Sequence, residues 1–195
     1  IAMSRQIRMI QPADIPAVRD IYAPYVAETS VSFEYEPPTL EEFTARVERT
    51  LKRYPWLVCE ENGEIIGYAY AGALGVRKAY QWSVELSIYV RQDRRRQGLG
   101  KCLYQTLLEL LTAQGYIGAY GAVTQPNPAS DRLHRKMGFE RVGVWKDAGY
   151  KLGVWRDVGW YEKFLLPRTD NPSEPVSWQE LPRERVQEIC GKGYI

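Results

Sequence analysis

The sequence contains few cysteines and no long hydrophobic run, and these two absences exclude several classes of protein. Its 195 residues include three cysteines, Cys59, Cys102 and Cys190, whose scattered positions match neither a disulfide framework nor a zinc site. No apolar stretch approaches the roughly 18 residues that a membrane-spanning helix needs. The first residues also lack the basic and then apolar pattern of a signal peptide. We therefore expect a soluble, cytoplasmic protein with reduced cysteines, no membrane partner and no metal site.

The chain also has almost no net charge. Its 26 basic and 24 acidic side chains leave a formal charge of +2, which gives no global field that would attract nucleic acid. The arginine run at 94–96 lacks the interleaved aromatic side chains that are typical of a nucleic-acid surface. We therefore expect no nucleic-acid partner, and any bound anion must be met by a local cluster of donors.

Alternating hydrophobic patterns predict one α/β domain with a mixed, mostly antiparallel central sheet flanked by helices, because several strands follow one another in the middle of the chain. A Thr39-x-x-Glu42 capping box and an Asn62-Gly63 turn mark a helix start and a hairpin. We expect one domain over residues 1–167 and a proline-rich tail without its own core over residues 168–195. The strands are predicted at 6–10, 56–60, 65–70, 84–90, 116–123, 139–144 and 158–166, and the later helices at 99–112 and 130–136.

One segment combines arginines and glycines between a strand and a helix. Arg94-Arg95-Arg96-Gln97-Gly98-Leu99-Gly100 follows the strand that ends at Val90 and precedes the helix that recurring leucines mark. Glycines allow the backbone to approach a ligand, the first turn of a helix has free N–H groups, and arginines add charge. A pyrophosphate fits such a site, although the segment matches neither a Walker A loop nor the dinucleotide fingerprint. For the loop alone, the alternative is a solvated basic turn that caps a helix.

Two motifs together resemble the GNAT superfamily of N-acetyltransferases. Arg95-x-x-Gly98-x-Gly100 is similar to its acyl-CoA pyrophosphate loop. Asn127-x-x-Ser130-x-x-Leu133-His134-x-x-x-Gly138-Phe139 is similar to its second cofactor element, in which relatives usually have a tyrosine where this chain has His134. The resemblance covers about residues 6–166, and it implies the GNAT fold with acetyl-CoA as the co-substrate.

Within that superfamily the chain resembles the phosphinothricin and methionine sulfoximine or sulfone acetyltransferases. The similar stretches are 76–85, Ile88-Tyr89-Val90, Gly149-Tyr150-Lys151 and 155–159. The resemblance implies acetyl transfer to the α-amine of a small amino-acid analogue, carried out by a homodimer. It assigns Glu85 as the base and places the acetyl-CoA contacts at Ile88, Tyr89, Val90, Arg95, Arg96, Gln97, Gly98, Leu99, Gly100, Lys101 and Asn127.

The chemistry of acetyl transfer supports a base at Glu85. An α-amine attacks a thioester only as the neutral amine, so a group must accept its proton, and a carboxylate does this well only when burial raises its pKa or a water relays the proton. The alternative for Glu85 is a strand glutamate that pairs with an arginine. A backbone N–H in the strand that contains Glu85 is the natural donor to the oxyanion. His134, the only histidine, either protonates the leaving thiolate or orients the cofactor by hydrogen bonding.

Substrate recognition is predicted from the residues around this strand. Arg77 and Tyr80 offer a cation beside an aromatic ring, which suits the anionic or sulfone oxygens of an amino-acid analogue. Phe33, on the loop between the first two helices, is expected to form one wall, and Leu86 and Ser87 are expected to contact the substrate. Two alternatives remain open at this point: acetylation of another amine, antibiotic or peptide N-terminus, and an acyl-CoA-binding module without catalysis.

Overall fold

The computed structural model describes residues 4–192, which form five α-helices and a sheet of seven strands. No helix in this range is long and apolar enough to cross a membrane. The helices are α1 (Ile15–Glu28), α2 (Leu40–Leu51), α3 (Leu99–Gln114), α4 (Pro128–Lys136) and α5 (Arg183–Cys190). The strands are β1 (Arg5–Met9), β2 (Trp56–Glu61), β3 (Glu64–Ala73), β4 (Ser83–Val90), β5 (Gly118–Thr124), β6 (Glu140–Lys151) and β7 (Val154–Phe164).

The sheet has the order β1-β2-β3-β4-β5-β7-β6 and confirms the predicted mixed, mostly antiparallel architecture. Only β4 and β5 pair in parallel among these neighbours. Their pairing runs from Ser83–Gly118 to Glu85–Tyr120 and then stops, although both strands continue. The sheet is therefore split at its centre beyond Glu85.

Two hydrophobic clusters cover the two faces of the sheet. Leu86 and Val84 of β4 lie in the cluster that contains the leucines of α3. On the opposite face, Tyr89 packs against Tyr22 and Tyr25 of α1. Because side chains alternate along a strand, Glu85, Ser87 and Tyr89 lie on the side of α1.

Local signals position the elements that surround the split. The Thr39 Oγ1 accepts from the Glu42 N–H at 3.1 Å, and the Thr39 N–H donates to the Glu42 carboxylate at 3.0 Å, which confirms the capping box at the start of α2. The Asn62-Gly63 turn joins β2 to β3 as predicted. These two features fix the path of the chain on either side of the first hairpin.

The last two strands are longer than the sequence predicted. β6 continues to Lys151 instead of ending at Val144, and β7 begins at Val154 instead of Val158. Their register shifts between Arg141 and Gly143 and again between Trp145 and Gly149. Because such bulges interrupt the alternation of apolar and polar side chains, the pattern in the sequence ended before the strand did.

The segment after residue 167 packs against the domain and contains α5, which was not predicted. Ile189 of α5 is fully buried in the cluster around α3. The Trp178 Nε1 donates to the Leu51 carbonyl at 2.9 Å, and the Gln114 Nε2 donates to the Val176 carbonyl at 3.0 Å. This segment therefore adds to the core of the domain, as a chain without a core of its own must in order to be ordered.

Candidate active site

The split between β4 and β5 exposes backbone polar groups as well as a cavity. The Trp82 carbonyl accepts from the Gly118 N–H of β5. Residues two apart along a strand direct their backbone N–H and C=O groups to the same side. The backbone groups of Leu86, Ile88 and Val90 therefore point toward the split. The adjoining cavity has a volume of about 580 Å³, which is within the range of small-molecule sites. Its walls come from β4, β5, β6, β7, α3, α4 and the loop between α1 and α2.

Glu85 lines this cavity at the last position where β4 pairs with β5. Among residues 4–192, no cation lies within ion-pair distance of its carboxylate. Burial raises the pKa of Glu85 above the usual range of a carboxyl group. The arginine-paired alternative is therefore absent from the described residues, and the side chain has the property that a proton acceptor needs.

His134 is 2% exposed and forms a hydrogen-bonded chain at the cavity wall. Its Nδ1 lies 2.8 Å from the Ser130 carbonyl, which can only accept, so this nitrogen carries the proton. The Nε2 of the neutral ring then accepts a hydrogen bond from the Tyr104 hydroxyl, across 3.2 Å. Burial lowers the pKa of His134 and so favours the neutral ring. In this arrangement the imidazole has no proton to donate into the cavity.

The arginines of the loop before α3 have three different environments. Arg94 pairs with the buried Glu61, which also pairs with Arg5 at 2.7 Å, so Arg94 joins the loop to β2. The Arg95 guanidinium lies 5.4 Å from the centre of the Tyr25 ring. Arg96 is exposed, and no side chain of the described part of the protein forms an ion pair with it. Two cationic groups are thus accessible to an anion at this turn.

The backbone of the same loop is shaped for an anion at the start of α3. Gly98 has φ +75°, a left-handed conformation that favours glycine, and it directs the chain into the helix. The first N–H groups of α3 have no carbonyl partner within their own helix. The positive end of the helix dipole lies at the same place. The loop therefore presents both charge and N–H donors.

Three elements meet where this loop approaches the cavity. A Cβ atom on Gly100 would lie 3.0 Å from the Leu133 Cδ2 of α4 and 3.6 Å from the Ile88 Cδ1 of β4. Asn127 begins α4, and its side-chain Oδ1 accepts from the Ser130 N–H at 3.2 Å. Both Ile88 and Asn127 line the cavity. An elongated ligand with an anionic group at the loop would therefore extend along β4 toward Glu85.

Comparison with known proteins identifies this arrangement. The family model described as acetyltransferase (GNAT) domain matches residues 7–160. The chain belongs to the GNAT acetyltransferase family. It is 42% identical over 173 residues to the phosphinothricin N-acetyltransferase of Streptomyces viridochromogenes, which covers 88% of this chain and 94% of that protein.

Two further similarities agree with the GNAT assignment. The L-methionine sulfoximine/L-methionine sulfone acetyltransferase of Pseudomonas paraeruginosa is 37% identical over 151 residues, covering 76% of this chain and 88% of that one. A phosphinothricin acetyltransferase of the GNAT superfamily from Sinorhizobium meliloti, crystallised in complex with acetyl-CoA, superposes with a TM-score of 0.83. It is 31% identical, and the superposition covers 89% of this chain and 98% of that chain.

The GNAT cavity includes some of the predicted site residues and not others. Phe33, Leu86 and Ser87 line it together with Glu85 and His134. Arg77 and Tyr80 lie on the exposed turn before β4 and are not among its lining residues. Tyr80 instead packs its ring on Gly75, with its Cδ2 2.8 Å from where a Cβ would lie. Within one chain, Arg77 and Tyr80 therefore do not reach the cavity in which they were predicted to contact the substrate.

Several GNAT cavity residues were not predicted from the sequence. Tyr104 lies within the leucine repeat of α3, where a buried hydroxyl among aliphatic side chains is the only sign of a polar role. Trp160 on β7 also lines the cavity, and its Nε1 is buried without a partner among the described residues. Thr124 and Trp145 complete the same wall. These residues come from strands and helices distant in the sequence, so only the fold brings them to Glu85.

Proposed function

We propose that this protein transfers the acetyl group of acetyl-CoA to the α-amine of a small amino-acid analogue of the phosphinothricin, methionine sulfoximine or methionine sulfone type. The observation that carries the proposal is an unpaired, half-buried Glu85 with a raised pKa at the point where the central sheet opens. The anion-binding turn before α3 lies at the other end of the same opening. Relatives with these acceptors in their names support the substrate class.

The loop and the open strand are suited to hold the co-substrate. Arg95, Arg96 and the N–H groups of residues 97–101 would bind its pyrophosphate, while Ile88, Tyr89, Val90 and Asn127 would border its pantetheine arm. The thioester, when bound, supplies the acetyl group and a thiolate that leaves readily, because its pKa is close to the cysteine reference of about 8.5. An acid therefore contributes little to this reaction.

Glu85 would act as the base, directly or through a water. The acceptor enters largely as an ammonium at neutral pH, and the Glu85 carboxylate removes the proton that blocks its lone pair. Burial raises the pKa of Glu85, so that it lies closer to neutral pH than the pKa of an exposed carboxyl group does. The N–H groups of Leu86 and Ile88, which point into the split, are the donors available to the oxyanion.

His134 would act as a positioning residue rather than as an acid. Its neutral ring holds the Tyr104 hydroxyl at the cavity wall, and its Nδ1 proton is already used by Ser130. Phe33, Leu86 and Ser87 would border the acceptor. The roles predicted for Arg77 and Tyr80, and the cytoplasmic location, remain predictions.

The homodimer is proposed from an exposed apolar surface on the β6–β7 hairpin. Tyr150 and Trp155 pair across the two strands with ring centres 5.3 Å apart. Tyr150 is 50% exposed and Trp155 is 59% exposed. β6 is also the edge of the sheet. We call the exposed face that carries Tyr150 and Trp155 the hairpin surface, and other exposed apolar side chains of the hairpin are Val142, Trp145, Leu152 and Val154. A patch of this kind is typical of a protein–protein contact.

An acetyl-transfer screen tests the proposed function. Purified protein is incubated with acetyl-CoA and a panel containing phosphinothricin, methionine sulfoximine, methionine sulfone, unmodified amino acids, an aminoglycoside and a short peptide, and the released thiol is measured. We expect turnover with the first three acceptors well above that with the others. Transfer to the peptide or the aminoglycoside instead would replace the substrate class. Binding of acetyl-CoA without transfer to any acceptor would favour an acyl-CoA-binding module, for which Glu85 has no evident use.

A further inference from the structure

Gly149, Tyr150 and Lys151, at the end of β6, contact the loop between α1 and α2, which spans residues 29–39. Ser32 and Phe33 of this loop line the cavity. We infer that the Gly149-Tyr150-Lys151 segment is a latch that sets the position of this loop and thereby the acceptor side of the site. The inference rests on the proposed function, because it assigns the wall to the acceptor rather than to acetyl-CoA.

Lys151 makes the strongest contact of the latch. It is 3% exposed, and its Nζ donates to the Val26 carbonyl at 2.6 Å and to the Ser32 carbonyl at 2.7 Å. No carboxylate within residues 4–192 lies at ion-pair distance from it. Burying an ammonium without a direct ion pair is costly, and the two carbonyls, the negative end of α1 beside Val26 and the more distant charge of Glu34 compensate it.

Gly149 and Tyr150 add two contacts at the neighbouring loop residues. A Cβ atom on Gly149 would lie 2.3 Å from the Phe33 Cε2, so the Phe33 ring occupies the space that any side chain at this position would take. The Tyr35 hydroxyl donates to the Tyr150 carbonyl. Three consecutive residues of β6 therefore contact Ser32, Phe33 and Tyr35, and a side chain at the first of them would displace the Phe33 ring.

The opposite side of the loop is held by α1 and α2. The Tyr22 hydroxyl lies 2.8 Å from the Ser32 Oγ, and Arg46 pairs with the Glu34 carboxylate at 2.5 Å. The loop is thus fixed on both sides, and loss of the β6 contacts would let Ser32 and Phe33 move while the start of α3 stays in place. Because misplacement by about 1 Å can cost a hundredfold in rate, such movement would be felt at the acceptor.

The test compares Lys151→Met and Gly149→Ala with Lys146→Met. Lys146 lies on the same strand, its side chain is 79% exposed, and its one ion pair with a described residue is with Asp157, so it controls for the loss of one positive charge. We expect both latch variants to raise the acceptor KM about tenfold or more, while the Kd of acetyl-CoA stays within about twofold of wild type. We expect Lys146→Met to keep both constants. Hydrogen exchange of the amides in residues 29–39 should be faster in Lys151→Met.

The outcomes separate the inference from the proposed function. An acceptor KM in both latch variants that matches Lys146→Met, or an equal weakening of acetyl-CoA binding, overturns the latch. If Lys151→Met does not fold, Gly149→Ala and Tyr35→Phe decide, since they disturb one contact each. If wild-type protein acetylates no amino-acid analogue, the proposed function fails, and the hydrogen exchange of residues 29–39 still decides whether the latch holds the loop.

Discussion

Glu85 and Lys151 are two charged groups whose surroundings disfavour their charge. Both are shielded from solvent without an ionic partner among the described residues, and burial raises the pKa of Glu85 and lowers that of Lys151. Both shifts favour the neutral form of the group, so the charged form that each group has at neutral pH lowers the stability of the fold. Such a cost is typical of residues retained for function, and both residues lie at or behind the cavity.

Replacement of Glu85 by Gln is expected to lower kcat about a hundredfold or more, because a positioned base is lost while the shape of the side chain is kept. The measurement is kcat with a fixed acceptor at saturating acetyl-CoA. The wild-type rate should fall in acid as Glu85 becomes protonated, and this fall should begin at a higher pH than for an ordinary carboxylate, because its pKa is raised. Wild-type turnover by Glu85→Gln would remove the assignment.

The stability of the same variant provides the control. Because the pKa of Glu85 is higher in the folded protein than in the unfolded chain, its ionisation destabilises the fold once the pH rises above the ordinary carboxyl range. Glu85→Gln should therefore unfold at the same temperature as wild type or at a higher one at neutral pH, and the difference should shrink in acid. A lower melting temperature would indicate a structural role.

His134 offers a second prediction at the level of one residue. An acid at this position must be an imidazolium, so its contribution would be lost as the pH rises through its pKa, which burial lowers. We expect wild-type kcat not to fall between about pH 6 and 8, and His134→Ala to lower kcat about tenfold without changing the shape of the profile. A decline with rising pH that disappears in His134→Ala would show direct proton transfer instead.

The turn before α3 shows what is decided by an element as a whole. The sequence predicted an anion site from three arginines and two glycines, and the turn has the expected strand before it and helix after it. The structure divides the arginines, since Arg94 is used by Glu61 whereas Arg96 is exposed. This division could not be predicted, because Glu61 lies 33 residues earlier in the chain.

Substitution of these arginines is therefore expected to have different effects. Arg96→Ala should raise the KM of acetyl-CoA about threefold to tenfold and weaken its dependence on salt, because an exposed cation is lost from the anion site. Arg94→Ala should instead lower the melting temperature, because Glu61 loses one of its two arginine partners. Steady-state kinetics at two ionic strengths and thermal unfolding of both variants measure this. Equal KM effects of the two variants would contradict the division.

At the scale of the whole molecule, the exposed hairpin bears on the number of chains that act together. The hairpin surface is exposed on one chain, and the predicted anchors Arg77 and Tyr80 lie outside its cavity. A second copy that covers the hairpin surface would remove a large apolar area from water. The proposed dimer therefore explains why one chain exposes the apolar hairpin surface.

We expect sedimentation velocity to show wild-type protein as a dimer and Trp155→Asp as a monomer, because a carboxylate would be buried without a partner in the contact. Val76→Asp is the matched control, since Val76 is a fully exposed apolar residue on another loop. It should sediment as wild type does. A wild-type monomer, or equal dissociation by both substitutions, would reject the hairpin surface as the contact.

The sequence by itself determined where most strands and helices lie along the chain, the arginine- and glycine-containing turn between a strand and a helix, and the position of Glu85 within a strand, because caps, turns and side-chain periodicity act over a few residues. Only the tertiary structure decided that β4 and β5 separate beyond Glu85, that His134 accepts a hydrogen bond from the Tyr104 hydroxyl, and that Lys151 holds the loop containing Phe33. Each of these depends on residues from distant parts of the chain, whose contacts are formed only when the sheet and helices pack.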